Sequence, residues 1–368
     1  MNENISRTKQ YSKRKIQLII TRLVLTAAFL LLMLLARVSL RLKIITAGWS
    51  QNFYIQVGLY LAIFASIYYL LFAPLDFYES FVLEHKFSLS NQTVIGWLKK
   101  MAKMALLSFF MLLLAGEALY FFLRLFPNHW WLLATLGWVL LTVVLTKITP
   151  ALIIPLFYKC VPLETISVKE ELLLLGKRCG IKISGVFEIK LSKDTKKAHA
   201  AVAGFGKSRR ILLGDTLLSN YSNGEIQAVF AHELAHIRMF HTWKILCFGA
   251  VIALSCFYIA HLLLNRTLDL FGFGQIYDIA AFPLLSLVLM ITTIALMPVQ
   301  NAYMRHLEKQ ADLFALDQIQ NKDSFVSAIT KLAEQNLIDP SPSKLVEIML
   351  YTHPPISKRV SYAREGNY

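Results

Sequence analysis

The sequence predicts a mainly α-helical, multi-pass membrane protein with about six transmembrane helices and a small β element on the cytosolic side. Three observations carry that expectation. Apolar residues make up 56% of the 368, above the roughly 45–50% of soluble domains, and charged residues only 17% against about 25%. A soluble core of this size cannot hide so much apolar surface, so much of it must face lipid. Six stretches approach the ~20 residues a spanning helix needs. Finally, Lys+Arg 38 over Asp+Glu 23 leaves a net charge of +15, which in so apolar a chain suits an anionic membrane surface better than nucleic acid. Intrinsic disorder, a secreted disulfide scaffold and an ordinary cytosolic enzyme are excluded.

The spans run about Leu18–Ala36, Tyr54–Phe72, Ala105–Leu123, Trp131–Leu145, Ile245–Leu263 and Ile279–Leu296. The basic start (Arg7, Lys9, Lys13, Arg14, Lys15) leads into the first span without a small-residue cleavage site, so no cleavable signal peptide is expected. Lys86, Lys99, Lys100 and Lys103 follow the second span. The opposite side holds Arg37, Arg41, Lys43, Arg124 and Arg266. This bias places the N-terminus, the hydrophilic section and the C-terminus together on the cytosolic side. Trp130 and Trp131 are expected at the far interface and Trp243 at the near one. The membrane is then a bacterial cytoplasmic membrane or the endoplasmic reticulum. Cys160, Cys179, Cys247 and Cys256 show no CxxC spacing and read as buried, reduced thiols.

Residues 1–158 form a four-span membrane region, and residues 159–368 a second region that includes a two-span hairpin at about 245–296. Within the second region, Glu164–Arg178 reads as a helix stopped by Gly180. Val186–Leu191, Ala200–Phe205 and Arg210–Leu213 read as short strands. Beyond residue 301 the pattern is helical, broken at Asp339-Pro340 and His353-Pro354-Pro355.

The chemistry concentrates at His232-Glu233-Leu234-Ala235-His236. On a helix, residues four apart share a face, so both imidazoles reach one Zn²⁺. Glu233 sits beside the metal, where a carboxylate takes a proton from an activated water. Ser222 and Glu225 supply an S-x-x-E capping box for this helix. A catalytic zinc needs a third protein ligand. From His236 to Leu263 is 27 residues and from Ile279 to Glu308 is 29, each roughly 40 Å of helix. A hairpin that crosses the membrane and returns therefore brings Glu308 level with the histidines. Asp312, one turn on, is placed to accept a hydrogen bond from a ligating imidazole. His241 is rotated off the 232/236 face and reads as a packing or supporting residue. His353 and Arg359 are softer candidates for holding an oxyanion. Glu117, inside the third span, reads equally as a functional carboxylate or as the partner of a lysine.

Together these motifs resemble a known family, the integral-membrane zinc metalloproteases of the CAAX prenyl protease 1 type. The resemblance runs from about residue 70 to 363. It rests on Phe81-Val-Leu-Glu-His-Lys-Phe-Ser-Leu-Ser-Asn-Gln-Thr93, Pro150–Phe157, Arg210–Leu217, His232–His236, Glu308–Asp312 and His353–Pro355 with Arg359. It implies a gluzincin-like site with one zinc per chain, held by His232, His236 and Glu308, with Glu233 as general base. It also implies that His353 and Arg359 lie beside the substrate, and that membrane helices enclose a water-filled chamber. A peptide would pair with the edge strand at Ala200, Ala201 and Val202 through backbone hydrogen bonds. The sequence departs from the family in two ways: six spans stand where seven are familiar, and His199 stands where Asn is common. The expected partners are a peptide or protein substrate, prenylated or not, and the lipid bilayer, with no nucleic acid. Three readings stay open: CAAX-type processing, broad membrane-protein quality control, and a metal-binding membrane scaffold with an inert site.

Overall fold

The computed structural model describes residues 2–203 and 210–365. The first region is helical: α1 (Asn2–Leu35), α2 (Val38–Trp49), α3 (Phe53–Phe77), α4 (Leu83–Lys86), α5 (Val94–Leu125), α6 (Trp130–Ile148) and α7 (Ile154–Phe157). π-helical turns at Tyr78–Val82 and Thr149–Ile153 lead into α4 and α7. The second region holds β1 (Cys160–Pro162), α8 (Ile166–Arg178), β2 (Gly185–Ile189), β3 (Ala200–Ala203), β4 (Arg210–Gly214), α9 (Asp215–Leu218) and α10 (Asn223–Arg238). It continues through α11 (His241–Thr267), α12 (Phe282–Gln318), α13 (Lys322–Asn336), α14 (Lys344–Leu350) and α15 (Ile356–Glu365). The boundary read from sequence at 158/159 falls between α7 and β1.

Six helices among the described residues are long and apolar enough to cross a membrane: α1, α3, α5, α6, α11 and α12. These are the six spans expected from sequence, each extended by polar turns that hydropathy alone does not capture. Tight packing holds them. A Cβ on Gly116 of α5 would lie 2.3 Å from the Leu61 side chain of α3, so only hydrogen fits at that crossing. The helix ends sort into two sides. At one, Lys43 pairs with Asp278 at 2.7 Å, joining α2 to the α11–α12 connection. At the other, Glu84 pairs with Lys197 at 2.8 Å, joining α4 to the loop before β3.

Several details differ from expectation. The short helix α2 was not anticipated, because 12 residues cannot span a bilayer and its polar positions read as a connection. It is docked against its neighbours: Ser39 takes a hydrogen bond from Tyr60 and donates one to the Ala280 carbonyl, both at 2.6 Å. Trp130 is not an interface residue; it is fully buried, with its indole N–H 3.1 Å from His261 Nδ1. Cys247 is exposed on α11, not buried.

The sheet has the order β1-β2-β4-β3, with β2 and β4 parallel and the outer pairs antiparallel. Ile211, Leu212 and Leu213 of β4 are all buried, as an unbroken apolar run in a central strand should be. Gly180 ends α8's last turn at φ 69°, as read from sequence. The strand expected at Ala200–Phe205 is described as far as Ala203, and residues 204–209 lie outside the described ones. Strand β1 escaped notice because Cys-Val-Pro is short, and its proline suits only an edge position.

Helix α10 packs between α12, α13 and α8 in a core that includes Leu172, Phe230, Leu234, Ala315 and Phe325. Its N-terminus is closed by the capping box: the Ser222 N–H donates to Glu225 at 2.8 Å and the Glu225 N–H donates back to Ser222 Oγ at 3.4 Å. Burial would raise the Glu225 carboxyl, but hydrogen bonds from Lys331, Ser327 and Ser222 outweigh it and hold its pKa at about 2.

Ser222→Ala is expected to destabilise the fold by about 1 kcal/mol, read as a lower Tm in detergent. Because the folded pKa of Glu225 lies below its unfolded value of about 4.3, its contribution is full above that pH. It is lost as pH falls towards 2, so the Tm gap between the wild type and Glu225→Gln should close on acidification.

Candidate active site

Helix α10 presents His232 and His236 one turn apart, with ring centroids 5.1 Å from each other. The helix ends at Met239, and Phe240, in the left-handed region at φ 57°, turns the chain into α11. The chain then crosses to the far side, turns at Gly272 (φ 73°), and returns along α12. That return brings Glu308 to 3.1 Å from His232 Nε2 and 3.6 Å from His236 Nε2. The two Nε2 atoms are 3.3 Å apart, and one donor atom from each of the three residues lies within 4.8 Å of the others. Three inward-facing N/O donors at this spacing fit a single small divalent cation.

The outward nitrogens are all engaged, which sets the tautomers. His232 Nδ1–H donates to Asp312 Oδ1 at 2.8 Å, leaving its Nε2 lone pair facing the cluster. His236 Nδ1 lies 3.0 Å from His241 Nδ1, and His241 Nε2 lies 3.2 Å from Gln310 Oε1. One proton placement satisfies this chain and keeps His236 Nε2 free. His236 donates to His241, His241 donates to Gln310, and the Gln310 amide donates to His306 at 3.0 Å. His241 is thus a supporting residue, as its rotation off the metal face suggested.

Asp312 is completely buried. Besides His232 it accepts Nε and Nη2 of Arg359 at 2.8 and 2.6 Å, and the Tyr362 hydroxyl at 2.9 Å. Arg359, expected beside the substrate, therefore spends its guanidinium fork on Asp312. His353 Nε2 is 3.2 Å from Glu308 Oε2 and remains half exposed. Glu233 is half-buried and lines, with His232, His353 and Arg359, a small cavity of about 130 Å³. Strand β3, carrying Ala200, Ala201 and Val202, is the sheet edge and packs near α10. The His199 carbonyl accepts the Gly214 N–H at 2.9 Å, so the ladder continues through His199 whatever its side chain. Glu117 lies in α5 against Gly58 of α3, apart from the cluster.

Sequence reasoning missed four contributors. Asn301 donates to the Met349 carbonyl at 2.6 Å, and Arg305 donates to the carbonyls of Glu347 and Tyr351 at 2.8 and 2.7 Å. Together they anchor the end of α14 and the turn that carries His353. Tyr362 and Gln310 complete the outer bonds. The spacing 301, 305, 308, 312 on one helical face was a usable signal for the first two.

Burial alone would keep His232 neutral, but hydrogen bonds to Asp312 and Glu308 outweigh it and lift its pKa to about 9. Burial and the neighbouring His232 charge push His236 down to about 4. A proton on His232 Nε2 would therefore compete with a cation for the same position. Metal uptake is expected to release protons at pH 7 and to weaken as pH falls, because the ligands must be deprotonated. Calorimetry in buffers of different ionisation enthalpy measures this. Asp312→Ala, which leaves Arg359 as an unpaired buried charge, should cost about 3–5 kcal/mol in thermal unfolding and weaken metal retention.

Residues 162–366 match peptidase family M48, and residues 1–159 match the CAAX prenyl protease N-terminal region, described as five membrane helices. In this chain that region holds four helices long enough to span, plus the shorter α2. The chain is similar to "Uncharacterized metalloprotease YhfN" of Bacillus subtilis, 29% identical over 296 residues, covering 79% of this chain and 69% of the relative. It is also similar to CAAX prenyl protease 1 of Saccharomyces cerevisiae, 26% identical over 325 residues, covering 82% of this chain and 70% of that protein. The crystal structure of S. mikatae Ste24p shares the fold, with a TM-score of 0.88 and 24% identity over 99% of this chain and 90% of that one. With more than half its length matched, the chain belongs to peptidase family M48 and is a multi-pass membrane metalloendopeptidase of the CAAX prenyl protease family.

Proposed function

We propose that the chain is a zinc endopeptidase that processes CAAX-type proteins at the cytosolic face of a bacterial cytoplasmic or endoplasmic reticulum membrane. The observation that carries the zinc assignment is the convergence of His232, His236 and Glu308, with Glu233 alongside, on the side where the second region meets the spans. Two imidazoles and one carboxylate are a donor set that suits zinc and leaves a fourth position open. The CAAX assignment rests on similarity to a protein named for that activity across 82% of this chain. The positive-inside bias supports the cytosolic orientation. In this reading residues 159–368, with the hairpin, form the catalytic unit, and residues 1–158 the membrane region that receives substrate.

One zinc per chain would supply Lewis-acid chemistry, polarising the scissile carbonyl and bringing the pKa of a water towards ~7. Glu233 takes the proton from the attacking water and returns it to the leaving amine. His353, beside Glu308, is placed to donate to the oxygen that becomes negative as the carbonyl is attacked. Arg359 acts through Asp312, which holds His232 in the ligating tautomer. The substrate backbone lies along β3. Because the Gly214 N–H bonds to the His199 carbonyl, antiparallel alternation turns the amide and carbonyl of Ala200 and Val202 away from β4, towards the open edge.

Glu233→Gln should retain stoichiometric zinc while kcat falls about 10²–10⁴-fold; full activity in that variant would sink the assignment. Matched CAAX peptides, one farnesylated and one not, test the substrate class with purified protein. Preference for the farnesylated peptide, lost in the variant, is the expected result. Equal cleavage of both would move the role to broad quality control, and zinc binding without any cleavage would make the site inert.

A further inference from the structure

The stretch Phe81–Thr93 contributes no atom to the metal cluster, yet it is tied to the chain just ahead of β3. Glu84 is only 9% exposed and sits among three donors from distant parts of the sequence. The Tyr11 hydroxyl donates to it at 2.5 Å, and the ammonium groups of Lys197 and Lys15 lie at 2.8 and 3.3 Å. Five residues on, Leu89–Asn91 run antiparallel to Asp194–Lys196. The Asn91 N–H donates to the Asp194 carbonyl at 3.1 Å, and the Lys196 N–H donates to the Leu89 carbonyl at 2.9 Å. The Asn91 side chain donates to the Ser192 carbonyl at 2.9 Å. Behind this pairing, the Lys197 carbonyl accepts Thr216 Oγ1 at 2.8 Å, and Asn336 clasps Ala198 from both sides, at 3.0 and 3.2 Å.

The segment 192–198 is therefore pinned along its length before the chain becomes β3 at Ala200. Pinning matters because strand register has period two. A slip of one residue would turn the outward amides of Ala200 and Val202 inward and present those of Ala201 instead. Ala200 and Ala201 carry only methyl groups with which to resist such a slip. Most of the pins hold the segment by its backbone; the Glu84–Lys197 contact is a partly buried charge pair, and it reaches α1 and α4 at the ends of two spans.

We propose that Glu84 is a positioning residue for the substrate: through Lys197 and the Leu89–Asn91 pairing it sets the register of β3, so that the peptide edge is aligned only when α1 and α4 are docked. The inference rests on β3 being the substrate edge, and that premise is tested separately. Glu84→Gln should raise KM about tenfold, the cost of one charge-assisted hydrogen bond, with kcat and zinc content unchanged. A loss of fold alone would instead lower kcat by reducing the active fraction and leave KM fixed. Lys197→Arg, which keeps a cation facing Glu84, should leave KM near wild type. Val202→Pro removes one outward N–H without touching the β4 ladder and should also raise KM.

An unchanged KM in Glu84→Gln, or a folded Lys197→Arg whose KM rises as far as that of Glu84→Gln, overturns the proposal. If Val202→Pro raises KM and Glu84→Gln does not, the edge reading stands and the role of Glu84 falls. If Val202→Pro leaves KM unchanged, both fall together. Should Glu84→Gln fail to fold, the same KM comparison on Lys197→Gln decides, since that variant keeps Glu84 bonded to Tyr11.

Discussion

The carboxylate of Asp312 is the constraint around which the site is built. It has no solvent exposure, so its charge must be compensated inside the protein, and it is: by a two-pronged bond from Arg359, the hydroxyl of Tyr362 and the imidazole of His232. Those partners come from α10 and α15 while Asp312 itself belongs to α12, so one buried anion ties three helices together. A buried charge is tolerated only when paired and fully hydrogen-bonded. Any arrangement of α10, α12 and α15 that separates these groups leaves a costly orphan, which narrows the helices to the geometry in which His232 turns its free nitrogen towards His236 and Glu308.

The membrane sets the scale of the same arrangement. Helices α11 and α12 are the two legs of a hairpin, and their lengths decide which residue of the returning leg arrives beside α10. The break at Phe240 separates the two histidines from the leg that descends into the bilayer, and α12 runs without a stop from the far side past Glu308 and Asp312. Pro298 sits inside that helix without ending it. The register of the metal cluster is thus a property of helix rise, and the polar end of α12 is used on one face throughout, from Asn301 to Asp312.

What could be read beforehand follows this division. The capping box at Ser222 and Glu225, the stop at Gly180, the six spans and the hairpin are local or periodic features, and periodicity survives in a sequence without knowledge of neighbours. The short helix α2 was not legible because it is held by partners outside its own segment, Tyr60 and the far more distant Ala280. Trp130 looked like a belt residue by position, but it is fully buried and His261 on α11 takes its indole N–H. Arg359 looked free to meet substrate, and only the packing of α15 on α12 shows that Asp312 takes both prongs of its guanidinium.

The sequence by itself determined that this chain spans a membrane, that a helix carries two histidines one turn apart with a glutamate between them, and that a hairpin of matched legs returns an acid to their level. Each of these depends on composition or on the fixed rise of a helix. The tertiary structure alone decided which nitrogen of each imidazole faces the cluster, which cation answers Asp312, and how the loop between two membrane helices reaches the chain ahead of β3. Those outcomes depend on hydrogen-bond partners up to about 100 residues apart, brought together only when burial forces every polar group to find one.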